Sequence, residues 1–586
     1  MRRILIYVIL PVVFASASAA TARCADNNSP SRKAANEPAA KSDNSGKSEA
    51  REGEKSAANS ELQDLRDLVQ SQSEELQDLR NRLTALEAGR TPSKEVAAST
   101  VVSSAGNIET STSVAAAPVS MLPIASVRGS SQGPSQTESK SPLFFKIGSA
   151  EFTPGGFVDF TTFYRSTNVG SGIATAFGTI PYSNQLPQAR LPETRLSAQY
   201  SRLSLKVDAQ LTDSTAITGY VESDFLGFQP ANAYQTANSD SLRLRVYWAD
   251  VRHGKWEVLG GQAWSLLTPN RVGLSALTSD VFYTLDEDPN FQVGLTWLRQ
   301  PQFRVVYHPT ANWAVGVSLE NPQQFAPGSV VFPSPNFIPQ FDNGSGSTSA
   351  ASSATNTAVP NLHPDIVIKT AVDAHPLGRS LHIEAAGLIR SFKVFNDLAT
   401  PATNNTVTGG GGSLNFNYEL IHNLHLIANS FYSDGGGRYI EGLGPDAIVK
   451  PDGTLSLVHS GSGVAGFEYQ ASPRYMFYSY YGGAYFQHNF GSLPATPASS
   501  CNGVAGFTCV GFGFPGSANT SNRAIQEATF GVIPSLWSNE NFGRLQIISQ
   551  YSYLIRSPWS TFSAAGPTPR NAHLNMVYLG LRYILP

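Results

Sequence analysis

SRLSLKVDAQLTDSTAITGYVESDFLG, residues 201–227, has the period-two pattern of two β-strands joined by a tight turn. One face of 202–211 is apolar and carries Leu203, Leu205, Val207, Ala209 and Leu211. The opposite face is polar and carries Arg202, Ser204, Lys206, Asp208 and Gln210. A charge that faces lipid at the bilayer midplane costs ~2–4 kcal/mol, so the charged face must point into water. The hairpin therefore predicts strands of a transmembrane β-barrel with a wet interior.

Two further segments show the same alternation. On 241–248, an apolar set opposes a polar set, namely Leu242, Leu244, Val246 and Trp248 against Arg243, Arg245 and Tyr247. On 381–390, the two sets are Leu381, Ile383, Ala385 and Ile389 against His382, Glu384 and Arg390. We expect each apolar set to face lipid and each polar set to face the lumen.

The spacing of turns predicts how many strands the barrel contains. Sixteen segments are long enough to cross a bilayer, which takes ~9–11 residues per strand. They are 155–165, 196–211, 215–226, 241–252, 255–265, 300–308, 312–321, 364–374, 379–392, 410–420, 423–433, 462–471, 475–487, 524–537, 542–555 and 572–585. Tight turns alternate strictly with long connections such as 266–299 and 393–409, as in bacterial outer-membrane barrels. The predicted fold class is therefore all-β, a sixteen-stranded antiparallel transmembrane barrel, although 291–297 could be a further strand and disturb the count.

Composition agrees with a barrel and argues against several other classes. Charged residues make up only 15% of the chain, whereas soluble domains carry about a quarter. A net charge of −3 without a basic tract gives no reason to expect a nucleic-acid partner. We find no nucleophile-elbow, P-loop, zinc-protease or paired Cys/His motif, so the sequence predicts neither an enzyme nor a cofactor nor a metal.

The chain before the barrel divides into four segments by composition. Residues 1–22 combine two arginines, an apolar run and small residues, which predicts a secretory signal peptide. Residues 23–60 lack apolar periodicity and are expected to be disordered. Residues 61–88 predict an α-helical coiled coil, and 89–142 predict a flexible linker rich in Ser, Ala and Pro. The barrel then occupies 143–586.

The coiled-coil prediction depends on heptad spacing. Core positions a and d are occupied by Leu62, Leu65, Val69, Gln72, Leu76, Leu79, Leu83 and Leu86. Residues 82–87, RLTALE, have the spacing of Arg, two apolar residues and Glu that is known from three-stranded coils. This favours a trimer, while a dimer or a helix lying on a partner remains open.

Two cysteines lie eight residues apart in a Gly-rich stretch of a chain that is expected to be exported. Because the exported chain meets an oxidising compartment, Cys501 and Cys509 predict a local disulfide. The alternative is two unpaired thiols.

Signal peptide, coiled coil, linker and barrel in this order resemble the DcaP-like porins. The likeness is carried by FKIGSAEFTPGGFVDF (145–160), ETRLSAQYSRLSLKV (193–207), GYVESDFLG (219–227), SLRLRVYWADV (241–251), GGQAWS (260–265) and PDIVIKTAVD (364–373). The last third of the chain matches only in strand rhythm. The resemblance implies a homotrimer in the bacterial outer membrane, with its N-terminal region in the periplasm. It also implies passage of small anionic solutes such as dicarboxylates.

The C-terminal residues GLRYILP, 580–586, are similar to the signal that barrel assembly machinery reads. This predicts that machinery as a partner during biogenesis, alongside outer-membrane lipids. The terminal Pro586 departs from the usual aromatic residue. The main alternative to a porin is a structural barrel that its coiled coil tethers to the periplasm.

In sixteen-stranded porins the third outer loop folds inward and narrows the channel, and here that loop is 266–299. Acidic candidates for the pore lining or constriction are Glu222, Asp224, Asp280, Asp286, Glu287 and Asp288. Basic candidates for the pore lining are Arg202, Lys206, Arg243, Arg245, Arg304, Lys369, Arg390 and Arg582. Opposite charges across a narrow neck orient polar solutes and select them by charge.

The hypothesis for the anion path rests on four of these basic residues, Arg202, Lys206, Arg243 and Arg245, because they lie close together on neighbouring strands. The alternative is that they pair with Asp208, Glu222 and Asp224 and serve only the rigidity of the barrel. For the acids of 280–288 the alternative is a solvated outer loop.

Overall fold

A computed structural model describes residues 141–183, 187–227, 240–277, 282–342, 360–563, 566–567 and 570–586. The predicted signal peptide, disordered segment and coiled coil, nearly all of the predicted linker, and Asp280 lie outside these residues. Among the described residues, no helix is long and apolar enough to cross a membrane.

Sixteen long strands in the described part of the chain form one closed antiparallel barrel. They are β1 (Ala150–Arg165), β2 (Arg202–Thr212), β3 (Thr215–Asp224), β4 (Arg243–His253), β5 (Trp256–Trp264), β6 (Arg299–Thr310), β7 (Trp313–Glu320), β8 (Asp365–Ala374), β9 (Leu381–Asn396), β10 (Thr403–Ile421), β11 (Leu424–Asp434), β12 (His459–Ser472), β13 (Tyr475–Phe486), β14 (Asn522–Asn539), β15 (Gly543–Pro558) and β16 (Ala572–Ile584). Each strand pairs with the next, and β1 also pairs with β16, so the barrel closes. The all-β class and the strand count are confirmed.

Shorter elements decorate the barrel and its loops. Two short strands, Phe145–Ile147 and Glu193–Ser197, pair with β1. Loop hairpins pair Ala447–Val449 with Leu455–Leu457, Asn489–Pro494 with Phe507–Phe512, Ser500–Cys501 with Val504–Ala505, and Phe562–Ser563 with Gly566–Pro567. Short 3₁₀ helices span Phe177–Thr179, Pro187–Arg190, Pro335–Gln340, Pro376–Gly378 and Gly437–Tyr439. The predicted disulfide between Cys501 and Cys509 is present in the loop after β13.

Long and short connections alternate as predicted, with one exception. The connection between β9 and β10 is only 397–402, not the predicted 393–409, because both strands continue past the expected ends. Phe392 pairs with Val407 and Val394 with Asn405, so the β-branched residues there extend the ladder. The segment 291–297 is not a strand; it belongs to the connection 265–298, hereafter loop 3.

The outer face of the barrel is apolar, and its inner face is charged. On β2, Leu203 is 49% exposed whereas Arg202 is 4% exposed. On β9, Ile383 and Ile389 are exposed, while the inward groups His382, Glu384 and Arg390 are buried. The predicted faces of these two strands are confirmed.

The face prediction for β4 is wrong beyond Arg245, because a β-bulge resets the alternation. Ser223 pairs with Leu244 and Glu222 with Val246, which leaves Arg245 without a cross-strand partner in the ladder. Val246 and Trp248 consequently point inward and are buried, and Tyr247 points outward. The bulge keeps Arg243 and Arg245 on the inside of the barrel, and each later residue of β4 points to the face opposite to the predicted one.

Loops fill a large part of the barrel interior. A single apolar cluster joins Phe177 of the first outer loop, Leu285 and Phe291 of loop 3, and Ile440 of the connection 435–458, hereafter loop 6. The cluster also contains inward residues of the wall, such as Tyr578 on β16. At least three outer loops therefore share one core inside the barrel.

Candidate functional site

Four arginines from three alternate strands, which β3 and β5 separate, come together on the inner wall. They are Arg202 on β2, Arg243 and Arg245 on β4, and Arg299 at the start of β6. We call this group the arginine cluster. Arg245 is fully buried, whereas the side chain of Arg243 keeps 29% of its surface exposed. The period-two pattern of β2 and the bulge in β4 place these side chains on the lumen side.

Two acids on β3 hold the arginine cluster against the wall. Arg245 donates from Nε to Glu222 at 2.7 Å and from Nη1 to Asp224 at 2.7 Å. Arg243 donates from both Nε and Nη2 to Asp224, at 2.9 and 2.5 Å, in the forked geometry that suits a carboxylate. The Nε of Arg202 lies 3.6 Å from Glu222. These pairings are the ones that a purely structural role predicts.

Loop 3 adds a carboxylate that the wall does not supply. Nη1 of Arg245 donates to both carboxylate oxygens of Asp288 at 2.9 Å, and Arg243 lies 3.7 Å from the same group. Although burial raises the pKa of Asp288, the guanidinium groups of Arg245, Arg243 and Arg299 hold it well below its usual value. Asp288 therefore stays ionised and joins loop 3 to the cluster.

Residues on either side of Asp288 contact the opposite wall. Leu285 N donates to Gln550 on β15 at 2.9 Å, and Val293 N donates to Glu527 on β14 at 2.9 Å. Asp286 accepts hydrogen bonds from Gln550 and Ser552 at 2.8 and 3.2 Å. Asp286 thus lies with β15, and Asp288 lies with β4. Burial raises the pKa of Asp286 to about 6.

The first half of loop 3 is tied to other strands. Arg271 forms an ion pair with Glu468 on β12 at 2.6 Å. Lys369 on β8 donates to the Thr268 carbonyl at 2.8 Å and forms an ion pair with Glu384 at 2.7 Å. Loop 3 consequently has polar contacts with strands around much of the barrel.

Loop 6 carries an acid, Glu441, whose pKa the arginine cluster influences. Glu441 has a φ of 50°, in the left-handed region that residues other than Gly seldom adopt. Such backbone positions are found preferentially at functional sites. Burial and the nearby Asp288 raise the pKa of Glu441 to about 8, although Arg299, Arg243 and Arg245 oppose this.

Buried ion pairs hold loop 6 in place next to Glu441. Arg390 on β9 forms ion pairs with Asp365 at 3.0 Å and with Asp446 of loop 6 at 2.9 Å. Tyr439 donates to Asp365 at 3.0 Å. The loop is therefore fixed at both ends of the segment that contains Glu441.

Three of the eight predicted basic residues, Arg202, Arg243 and Arg245, lie in the cluster. The other five have partners outside the cluster. Four of them form ion pairs: Lys206 with Asp208 at 3.1 Å, Lys369 with Glu384, Arg390 with Asp365, and Arg582 with Asp159 at 2.8 Å. The fifth, Arg304, donates hydrogen bonds to Gln302 and to the Trp264 carbonyl. Of the predicted acids, Glu222, Asp224 and Asp288 contact the arginine cluster. Glu287 directly precedes Asp288 in sequence, and Asp286 faces β15.

Two members of the site did not emerge from the sequence. Arg299 falls in the predicted loop 266–299, one residue before the predicted strand, so period-two reasoning did not reach it. Glu441 lies in GGGRYIEGLG, 435–444, where only its charge within a Gly-rich loop marks it. In the described residues, no group of three or more His, Cys, Asp or Glu side chains could hold a metal ion.

No protein-family model and no curated protein sequence matches this chain. Among solved structures, the outer membrane channel DcaP of Acinetobacter baumannii is 16% identical, and the match covers 75% of this chain and 99% of that chain with a TM-score of 0.51. An anion-selective porin from Comamonas acidovorans is 11% identical, with 74% and 100% covered and a TM-score of 0.41. OprB of Pseudomonas putida is 11% identical, with 74% and 94% covered and a TM-score of 0.40. The likeness to DcaP shows a shared barrel fold.

Proposed function

We propose that this protein is an outer-membrane porin through which small hydrophilic, anionic solutes diffuse, and that three copies assemble into a homotrimer with their N-terminal coiled coils in the periplasm. The observation that carries the proposal is the bridge from Asp288 of loop 3 to Arg243 and Arg245 on the wall. The fold shared with an outer membrane channel supports the membrane location.

The bridge favours a constriction over a closed core because the groups around it keep contact with solvent. The side chain of Arg243 is 29% exposed, and Arg299, Glu287 and Glu441 are partly exposed. Fixed charges at a narrow neck act on every solute that passes, which makes this the point where the channel discriminates.

The charge of the site favours anions. Arg202, Arg243 and Arg245 contact three acids, Glu222, Asp224 and Asp288, so Arg299 leaves the cluster with one excess positive charge. Arginine offers planar, paired donors that suit carboxylates and phosphates. Dicarboxylates are the solutes that the family resemblance suggests. Diffusion past such a neck needs no catalytic group, so we propose passage rather than catalysis.

The proposal is tested by reconstituting the full chain in planar bilayers and measuring conductance and the reversal potential across a KCl gradient at pH 6. We expect conductance steps in groups of three and an anion-selective reversal potential. A folded barrel that leaves the bilayer closed would contradict the proposal and favour the tethering role.

Neutralising one exposed member of the cluster is expected to weaken the anion preference. For Arg243→Gln we predict a fall of about sevenfold in the chloride-to-potassium permeability ratio, because one unit charge ~7 Å from the ion in water contributes ~0.6 kcal/mol, with opposite sign for chloride and for potassium. The measurement is again the reversal potential. Lys206→Gln is the matched control, since Lys206 pairs with Asp208 outside the cluster and should change the ratio less. Equal ratios in wild type and Arg243→Gln would exclude Arg243 from the path.

A further inference from the structure

A cleft lies at the outer end of the barrel wall, where two strands are shorter than their neighbours. β11 ends at Asp434 and β12 begins at His459, whereas β10 continues over 403–409 beyond its last pair with β11. On the other side, the chain after β13 continues into the hairpin strand Asn489–Pro494. The cavity between these elements has a volume of about 420 Å³, within the range of ~300–1,000 Å³ that is usual for ligand pockets.

Hydrogen bonds between two loops and a strand fix the inner wall of the cleft. Leu455 and Leu457 of loop 6 supply its apolar lining, and both are buried. Asn489 donates from Nδ2 to Ser456 Oγ at 2.9 Å and to the Leu457 carbonyl at 2.7 Å. Leu455 N donates to Asn405 Oδ1 on β10 at 2.8 Å. The wall is therefore formed without a ligand.

The outward side of the cleft carries a row of polar side chains. Asp434 and His459 are paired in the ladder, and Gln487 N donates to the His459 carbonyl at 2.9 Å. Ser433 and Ser460, which alternate with the first two, are buried inside the barrel and share a hydrogen bond at 2.8 Å. Because side chains alternate along a strand, Asp434 and His459 point to the outer face of the barrel.

A row of aromatic residues lies next to the polar row and shows how deep the cleft is in the membrane. Tyr432 pairs with Gly461, and Gly461 pairs with Tyr485, so both tyrosines lie in one row, exposed on the outer face. Aromatic residues of this kind mark the membrane interface of a barrel. Asp434 is two residues beyond Tyr432, or ~7 Å further out at ~3.4 Å per residue. The cleft is therefore level with the head groups of the outer leaflet.

The polar row offers both donors and acceptors that are not used within the described residues. Oδ1 of Asp434 lies 3.3 Å from Nδ1 of His459 but accepts no hydrogen bond, and the two side chains are 44% and 48% exposed. The side chain of Gln487 is exposed and forms no hydrogen bond. A sugar hydroxyl donates and accepts at once, so it suits such a mixture.

The charge of the lining argues against an isolated phosphate as the ligand. Among the described residues that line the cleft there is no Lys or Arg, the side chains that usually bind phosphate. The charged groups there are Asp434, which repels an anion, and its neighbour His459. The lining consequently favours an uncharged, hydroxyl-rich group.

We propose that this cleft binds the saccharide head group of a lipid in the outer leaflet, which in a bacterial outer membrane is lipopolysaccharide. The sugar hydroxyls would bond to Asp434, His459 and Gln487, and the acyl chains would lie along the outer face beside Tyr432 and Tyr485. This requires the barrel to lie in the outer membrane and is independent of the solute that passes through it.

The experiment measures binding of fluorescently labelled lipopolysaccharide to the purified full chain in detergent by fluorescence anisotropy. We expect saturable binding, and a dissociation constant at least about tenfold higher for Asp434→Ala/Gln487→Ala, as loss of a hydrogen bond to a charged group gives. The control is Glu540→Ala, which removes a carboxylate from the turn after β14 at the other end of the barrel and should bind like wild type.

Competition on the wild-type protein tests the chemistry of the ligand without any variant. The deacylated saccharide of the same lipopolysaccharide should compete, although more weakly because it has no acyl chains, and the anionic phospholipid phosphatidylglycerol should not. Competition by phosphatidylglycerol alone would overturn recognition of a saccharide. A free saccharide that binds as tightly as lipopolysaccharide would overturn the lipid as its source.

The variant separates the cleft from other surfaces of the barrel. Equal binding by wild type and Asp434→Ala/Gln487→Ala would overturn the inference, since the lipid would then be held elsewhere. Equal binding together with dissociation of the trimer in the variant would assign the cleft to a contact between copies of this chain and would overturn it as well.

Discussion

Arg245→Met is expected to lower the free energy of unfolding by about 3–5 kcal/mol, because removing one partner of a buried ion pair leaves the others buried and uncompensated. Arg245 is fully buried and contacts three carboxylates, those of Glu222, Asp224 and Asp288. Methionine is shorter but has a similar volume and no charge, so most of the loss is electrostatic. The measurement is a urea titration of the folded barrel in lipid vesicles, followed by tryptophan fluorescence.

The control for this prediction is Lys206→Met, which removes a basic residue from the same inner wall. The side chains of Lys206 and Asp208 are 31% and 38% exposed, so their pair should contribute at most about 1 kcal/mol. A partial rescue by the double variant Arg245→Met/Asp288→Asn is expected, since it removes one of the unpaired charges. Arg245→Met with wild-type stability would mean that the three acids are solvated and the cluster is not a unit.

The barrel was predictable because one physical constraint acts on every strand. Leu203 and Arg202 lie on opposite faces of β2 for the same reason that Ile383 and His382 do on β9: charge is expelled from the apolar side. Period-two alternation could not predict where a single inserted residue interrupts a strand. The bulge at Arg245 moves Val246 and Trp248 inward, and nothing in SLRLRVYWADV signals where the ladder loses a partner.

The residues of the site could be predicted from the sequence only where they lie on strands. Arg202 and Arg243 follow from alternation, and the pairing with Asp224 follows from register. Loops have no period, so Asp286 and Asp288 could not be assigned to opposite walls from their spacing. The position of Glu441 was harder still to predict, because it depends on ion pairs between loop 6 and β9 that join residues distant in sequence.

Gly482→Ala is expected to displace the Val293 segment of loop 3 from β13 and to increase the single-channel conductance. Gly482 on β13 has no room for a side chain, because a Cβ there would overlap the Val293 carbonyl oxygen of loop 3. Gly294, the next residue of the loop, makes an equally close approach to Gly463 and has a φ of 103°. Overpacking of this kind costs about 1–3 kcal/mol, and each 1.4 kcal/mol lowers the ratio of docked to undocked segment tenfold.

Gly483→Ala is the matched control, since it adds the same methyl group one residue further along β13. A Cβ at Gly483 would come no nearer than 3.5 Å to any atom, an ordinary van der Waals distance. The two variants therefore differ in whether the methyl group meets loop 3, while strand propensity and barrel pairing change equally. Higher conductance and greater open-channel noise in Gly482→Ala alone would mean that the docked loop limits ion flow. Equal conductance in both variants and wild type would mean that ions follow a path loop 3 does not restrict, and the arginine cluster would then serve barrel rigidity.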